Sequence, residues 1–192
     1  AELALADIRD PDAVSAMFDR IRADRGRLDM LVNNAGINRD TLLGMMSEKD
    51  WSDVLETHLS GAFRCCRAGL RLMISERTGA IVNISSVSAR AGLPGQCNYA
   101  SAKAGLLALT HALAKEVSRY GIRVNALAPG LVATEMVSKI PEAQLQKLIE
   151  DVPLKRMGKP EEIAAVVRFL LSNDASYIQG QTIVVDGGAI PW

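Results

Sequence analysis

The segment "NISSVSARAGLPGQCNYASAKAGLLALTHALAKE", residues 83–116, fixes the class of fold. It continues an apolar run, 80–84, that stops at Ser85 and Ser86. A loop with Gly92, Pro94 and Gly95 follows, then a helical stretch, 100–120, that Gly121 closes at its C′ position. A strand covered on both faces has no polar side to show, so an unalternating apolar run that leads into a long helix reads as half of a parallel-sheet unit.

The same pattern repeats outward. Residues 3–6, 30–32, 122–127 and 182–185 are further apolar runs of strand length. Pro11–Arg25 reads as a helix with Asp10 as N-cap and the proline in its first turn. "SEKDWSDVLETHLSGAFRCCRAGLRLMI" opens with Ser47 and Asp50 at capping-box spacing, the acid being Asp instead of Glu or Gln. Its Trp51, Val54, Leu55, Leu59, Ala62 and Phe63 recur at helical spacing. A last helix begins at Pro160. This alternation predicts an α/β fold, a doubly wound, three-layer parallel sheet of Rossmann-like type, in a single domain over 1–192.

Composition narrows the function. Hydrophobic residues make up 48% of the 192 but aromatic ones only 4%, so the core must be aliphatic. Twenty-two basic residues balance twenty-two acidic ones, which argues against a nucleic-acid or membrane-surface partner. No apolar run approaches the roughly 18 residues that span a bilayer, and no signal peptide opens the chain. Three cysteines make no disulfide framework, so a cytoplasmic setting is expected. Cys65 and Cys66 read as helix packing and Cys97 as a small core-like residue. No His/Cys/Asp cluster has metal-ligand spacing, and no metal is expected. Asp186 in "VVDGG" reads as a turn or interface residue.

In open α/β sheets ligands bind beyond the carboxyl ends of the strands. Those ends carry Asp7, then Asn33-Asn34-Ala35-Gly36, then Ser85-Ser86, then Pro129-Gly130. Each group is a common turn former, but four in succession at equivalent positions mark a site. Tyr99 and Lys103, spaced i, i+4, share one helix face. An ammonium about 4 Å from the phenol, at an effective dielectric of ~20, would favour phenolate by ~4 kcal/mol, or about 3 pKa units at most. Tyr99 would then exchange protons near neutral pH, with Ser86 holding the same substrate oxygen. The chemistry is ketone to secondary alcohol, or the reverse.

"NNAG" at 33–36, Ser86, "YASAK" at 99–103 and "PGLVAT" at 129–134 resemble, in order and spacing, the short-chain dehydrogenase/reductase family, and the resemblance covers essentially the whole chain. It implies Ser86, Tyr99 and Lys103 as the catalytic residues, with Lys103 also holding the nicotinamide ribose. It implies Asp7 and Ile8 beside the adenine, and Asn34, Ala35 and Gly36 along the adenosine ribose. Pro129, Gly130, Val132 and Thr134 then lie by the nicotinamide carboxamide. It also implies NADPH as cofactor, with NAD(H) the alternative, and a substrate-covering lid over 135–153 with Met136, Val137 and Leu145 beneath. "GIRVNALAPGLVATEM", "VPLKRMGKPEEIA" and "YIQGQTIVVDGG" look most like the branch of 3-oxoacyl-acyl-carrier-protein reductases, shared in part by polyketide-type ketoreductases. That branch implies an acyl carrier protein docked by basic residues beside the cleft, at Arg77 and near Arg119. It also implies a homotetramer, for which Phe63, Leu70, Leu107 and Leu109 offer apolar surface.

Two departures stand out. The family's fourth catalytic residue is an asparagine that supports a proton-relaying water; "ETHLSG" places His58 there, and an imidazole can also donate and accept. The family's glycine-rich pyrophosphate loop would precede Asp7, so the domain is expected to be N-terminally incomplete. Two other functions stay open: a dehydrogenase of sugar, steroid or diol alcohols, and a weakly active member used for binding or assembly.

Overall fold

The computed structural model describes residues 2–135, 137 and 140–190. In chain order it forms α1 (Pro11–Arg25), β1 (Met30–Asn33), α2 (Glu48–Leu55), a π turn (Glu56–Ser60), α3 (Gly61–Glu76), β2 (Gly79–Ile84), α4 (Ser88–Ala91), α5 (Cys97–Val117), β3 (Ile122–Pro129), α6 (Glu142–Asp151), α7 (Pro160–Leu171) and β4 (Thr182–Val185). The four strands are parallel, in the order β1-β2-β3-β4. Register aligns Asn33 with Asn83 and Ile84 with Leu127, so the strand ends that precede the candidate site lie side by side.

Helices cover both faces, as the unalternating runs require. Ile81 on β2 packs with Cys66 and Met73 of α3 and Leu113 of α5. Its neighbour Val82, on the other face of the pleat, packs with Leu127 and with Leu170 of α7. α1 lays Val14 and Phe18 against Cys65 and Leu72 of α3. A polar thread runs through this aliphatic core. Asn33 Nδ2 donates to Asn83 Oδ1 at 2.7 Å, Asn83 Nδ2 to Thr110 Oγ1 at 2.8 Å, and Thr110 to the Leu106 carbonyl. The thread ties β1, β2 and α5 together just below the site.

The helix starts follow their sequence signals. Asp10 Oδ1 accepts from the amides of Asp12 and Ala13, and Gly26 ends α1 at φ 72°. Ser47 Oγ accepts from the Asp50 amide at 3.0 Å and donates to the Asp50 carboxylate.

Four expectations change. Residues 3–6 form no strand; Leu3 and Leu5 are exposed, and Asp7 closes a turn by accepting from the Asp10 amide. A strand needs a ladder, and β1 pairs with β2 alone among the described residues. For the same reason β1 is half bare, with Met30 54% and Val32 40% exposed, and is not covered on both faces. The long helix predicted from Ser47 is interrupted by the π turn, and α5 begins at Cys97, which puts Tyr99 in its first turn. Among the described residues no helix is long and apolar enough to cross a membrane.

Candidate active site

Strand β2 ends just short of the two serines. Ser85 is buried and donates to the Lys103 carbonyl at 3.0 Å, which locks α5 to the strand end. Ser86 Oγ accepts from the Ser88 amide at 3.1 Å and lies within hydrogen-bonding reach of the Tyr99 phenol. One turn further along α5, Lys103 Nζ donates to the Ile84 carbonyl at 2.6 Å and sits 5.5 Å from the centre of the Tyr99 ring. Sequence and structure agree that these three side chains meet.

Their electrostatics differ from expectation. Burial raises the Tyr99 phenol above its ordinary value; Ser86 opposes the shift and the charge of Asp40 adds to it. The expected lowering by Lys103 does not appear, because desolvation of the phenolate outweighs an ammonium that lies over the ring face and is directed at the Ile84 carbonyl. Burial in turn lowers Lys103 to about 8. Lys103 forms no salt bridge among the described residues, and Ile84 takes only one of its three N–H groups.

His58 enters through the π turn, a feature frequent at functional sites. Its ring meets the Tyr99 ring edge-on, and its Nε2 lies 2.8 Å from the Ile37 carbonyl and 3.2 Å from the Ile37 amide. The shorter contact favours Nε2–H donating to the carbonyl, leaving Nδ1 as a buried acceptor with no partner among the described residues. Burial, aided by the charge of Lys103, lowers His58 to about 4, against the opposing bond to Ile37. The ring is therefore neutral at physiological pH. Its Cε1 edge lies so close to Gly36 that a Cβ there would fall 2.3 Å from that atom.

A cavity of about 920 Å³ opens over these groups. Asn34, Gly36, Pro129, Gly130, Val132 and Thr134 line it together with Ser86, Tyr99, Lys103 and His58. Val132 is fixed by a bridge to Gly158, and Gly130 approaches Asp186 so closely that a Cβ would sit 2.6 Å from the Asp186 Cβ. Ile8 and Ala35 line a smaller adjoining cavity of about 180 Å³, which shares Asn34, His58 and Lys103. Asp7 lines neither. Its carboxylate is held by Arg9, at 2.7 Å from Nη2, and is lowered to about 2. Lys103's remaining donors and the cavity that Asn34, Gly36, Gly130 and Thr134 line fit a nicotinamide nucleotide. Among the described residues no group of His, Cys, Asp and Glu could hold a metal ion.

Arg77 and Arg119 come together, Arg77 Nη2 donating to the Arg119 carbonyl at 3.0 Å, while Arg119 stacks on Tyr120. They do not flank the cleft. They precede β2 and β3, whereas the cleft lies past the strands' other ends, about 20 Å along the sheet. Phe63 is exposed, but Leu70 packs on the core and Leu107 and Leu109 are half-buried. Cys97, expected as a core-like residue, is exposed, while Cys65 and Cys66 are buried. Asp186 makes a turn, accepting from the Gly188 and Ile190 amides. In the lid segment Val137 reaches the large cavity and Leu145 is half-buried on α6; Met136 lies outside the described residues. The sequence reading missed Asp40, Gln96 and Asn98, polar residues in loop and helix-start positions where their types are unremarkable.

A parallel sheet with a serine past the end of β2 and a tyrosine–lysine pair on α5 defines a class of dehydrogenase. A family model described as "Enoyl-(Acyl carrier protein) reductase" matches residues 1–189, and the chain belongs to this family of short-chain dehydrogenases/reductases. It is an NAD(P)-dependent oxidoreductase. The chain is 49% identical over 185 residues to a protein of Chlamydia muridarum named 3-oxoacyl-[acyl-carrier-protein] reductase FabG, covering 96% of this chain and 75% of that one. Proteins of the same name from Thermotoga maritima and Salmonella typhimurium are 45% and 44% identical over 184 residues each, again 96% of this chain and 75% of theirs.

Proposed function

We propose that this chain reduces a 3-oxoacyl thioester carried on acyl carrier protein to the 3-hydroxyacyl thioester, with NADPH as the reductant. The observation that carries the reading is the half-buried Tyr99 phenol on the wall of the large cavity, within reach of Ser86 and beside Lys103. Relatives at 44–49% identity bearing the name 3-oxoacyl-[acyl-carrier-protein] reductase support the substrate class.

When bound, the nicotinamide cofactor would supply a hydride to the carbonyl carbon. Ser86 Oγ donates a hydrogen bond to the carbonyl oxygen and orients it. Tyr99 gives that oxygen its proton as negative charge develops there. Lys103 directs its unused N–H groups to the ribose hydroxyls and steadies the phenolate left behind. His58 positions Tyr99 through its edge-on contact, and its Nδ1 accepts from a water that returns a proton towards Lys103. Asn34, Ala35 and Gly36 hold the adenosine ribose; Pro129, Gly130, Val132 and Thr134 hold the carboxamide side; Ile8 borders the adenine. Asp7 takes the adenine amino group only by sharing a carboxylate already bound to Arg9.

Arg77 and Arg119 form the basic patch for an acidic carrier, at a distance that a long flexible prosthetic arm spans. Segment 135–153 folds over the acyl chain as a lid, and the working form is a homotetramer in the cytoplasm. The test is loss of NADPH absorbance with a short 3-ketoacyl thioester, run beside the matching enoyl thioester and NADH. Turnover of the enoyl compound with none of the ketone would overturn the proposal.

A further inference from the structure

At Asp40 a seam of hydrogen bonds sews the loop after β1 to the start of α5. The Asp40 carboxylate accepts from Gln96 Nε2, and the Thr41 amide donates to the Gly95 carbonyl, both at 2.9 Å. The central stitch is Asn98, fully buried and one residue before Tyr99. Its Nδ2 donates to the Arg39 carbonyl at 3.0 Å and to the Asp50 carbonyl at 3.3 Å, and its Oδ1 accepts from the Tyr99 amide at 2.8 Å. One carboxamide thus joins the loop, α2 and α5, and uses both of its N–H groups to do so.

The third bond matters because of where Tyr99 falls in the helix. The first i→i−4 bond of α5 runs from the Ala100 amide to the Gln96 carbonyl, so the Tyr99 amide has no partner inside the helix. An N-cap side chain would ordinarily take it, but Gln96 caps nothing and turns to Asp40 instead. Asn98 takes it. Two residues before Arg39 in the same loop, the Ile37 carbonyl is held by His58, whose ring edge meets the Tyr99 ring. Tyr99 is therefore referred to one loop at both ends, its backbone through Asn98 and its ring through His58.

From this closed circuit of contacts we infer that Asn98 is a positioning residue for Tyr99: it fixes the helix turn from which the phenol reaches the substrate oxygen. Without its carboxamide the first turn of α5 loses its ties to the loop and to α2, and the tyrosine keeps only the ring contact with His58. A displacement of about 1 Å at a reacting group is enough to cost about a hundredfold in rate.

The inference rests on Tyr99 as proton donor, so one of its two readouts needs no turnover. Asn98→Leu keeps the bulk of the side chain and removes all three bonds. Should it fail to fold, Asn98→Ser, too short to reach the two carbonyls, takes its place. With 3-fluorotyrosine replacing tyrosine in the resting chain, the Tyr99 fluorine resonance is assigned by its loss in Tyr99→Phe. In the Asn98 variant it should move towards that of the fully exposed Tyr177, while the Tyr120 resonance stays in place. In turnover, kcat for ketone reduction should fall about a hundredfold with KM for the thioester unchanged. The ratio of rates in H2O and D2O should rise, because a displaced phenol slows the transfer of its proton. A chain that had only lost stability would lose active sites and keep that ratio. An unmoved Tyr99 resonance overturns the inference, and so does an unchanged isotope ratio in an active variant. A moved resonance where neither chain reduces a ketone leaves it standing and overturns the proposed function alone.

Discussion

The edge of the His58 imidazole meets the Tyr99 ring with centroids 5.1 Å apart and planes at 90°, so the residue that departs from the family pattern touches the proposed acid. The contact exists because five residues of π turn swing the imidazole inward between α2 and α3.

Acid stability should report this burial. His58 titrates at about 4 when folded and near its ordinary 6.5 when unfolded, so between those values the unfolded chain binds the extra proton. Stability is therefore lost as pH falls from 6.5 towards 4, by about 3 kcal/mol in all. Urea unfolding across that range should show the slope in the parent and not in His58→Asn. The bound carboxylates of Asp7 and Glu162, each at about 2, contribute their losses mainly at lower pH.

Removing the phenol's proton should end the chemistry without ending the fold. Tyr99→Phe is expected to lower kcat by about a thousandfold, with an unchanged urea midpoint, because the lost group is a single hydroxyl at the cavity wall.

Lys103 sets the alkaline limit. With its ammonium at about 8, ketone reduction should decline as pH rises through that value. Lys103→Arg, which keeps its charge, should lower the rate at pH 7 and abolish the decline; a decline persisting in the arginine variant would assign it elsewhere.

Gly36 and His58 should be energetically coupled. Gly36→Ala drives a Cβ into the imidazole and should cost about 2 kcal/mol. In the His58→Ala background the same substitution should cost little, a non-additivity that a double-mutant cycle in urea measures.

Arg77→Glu separates docking from catalysis. It should raise KM several-fold for a carrier-bound substrate and leave kcat/KM for a small thioester unchanged, since Arg77 lies at the far end of the sheet from Tyr99.

Much of this was legible in the chain itself. Unalternating runs at 80–84 and 122–127 announce strands buried on both sides, and Asp10, Ser47 and Gly121 mark helix ends by chemistry that acts locally. The Ser86, Tyr99 and Lys103 cluster follows from one strand end and one helix face. Partners distant in sequence were harder to read. Whether residues 3–6 become a strand depends on a neighbour to pair with, and the sign of the Tyr99 shift depends on burial that spacing does not reveal. The π turn had one visible mark, the histidine in "ETHLSG", and the Asp40 seam had none, because Asp and Gln in loops are ordinary.

In evolutionary terms, the closeness of Gly36 and His58 makes their histories inseparable. A lineage can exchange asparagine for the bulkier imidazole only while the other position stays bare, and once the exchange is made the glycine can no longer drift. Homologues carrying this histidine should therefore keep a glycine opposite it, a pairing that can be sought in genomes without purifying a protein.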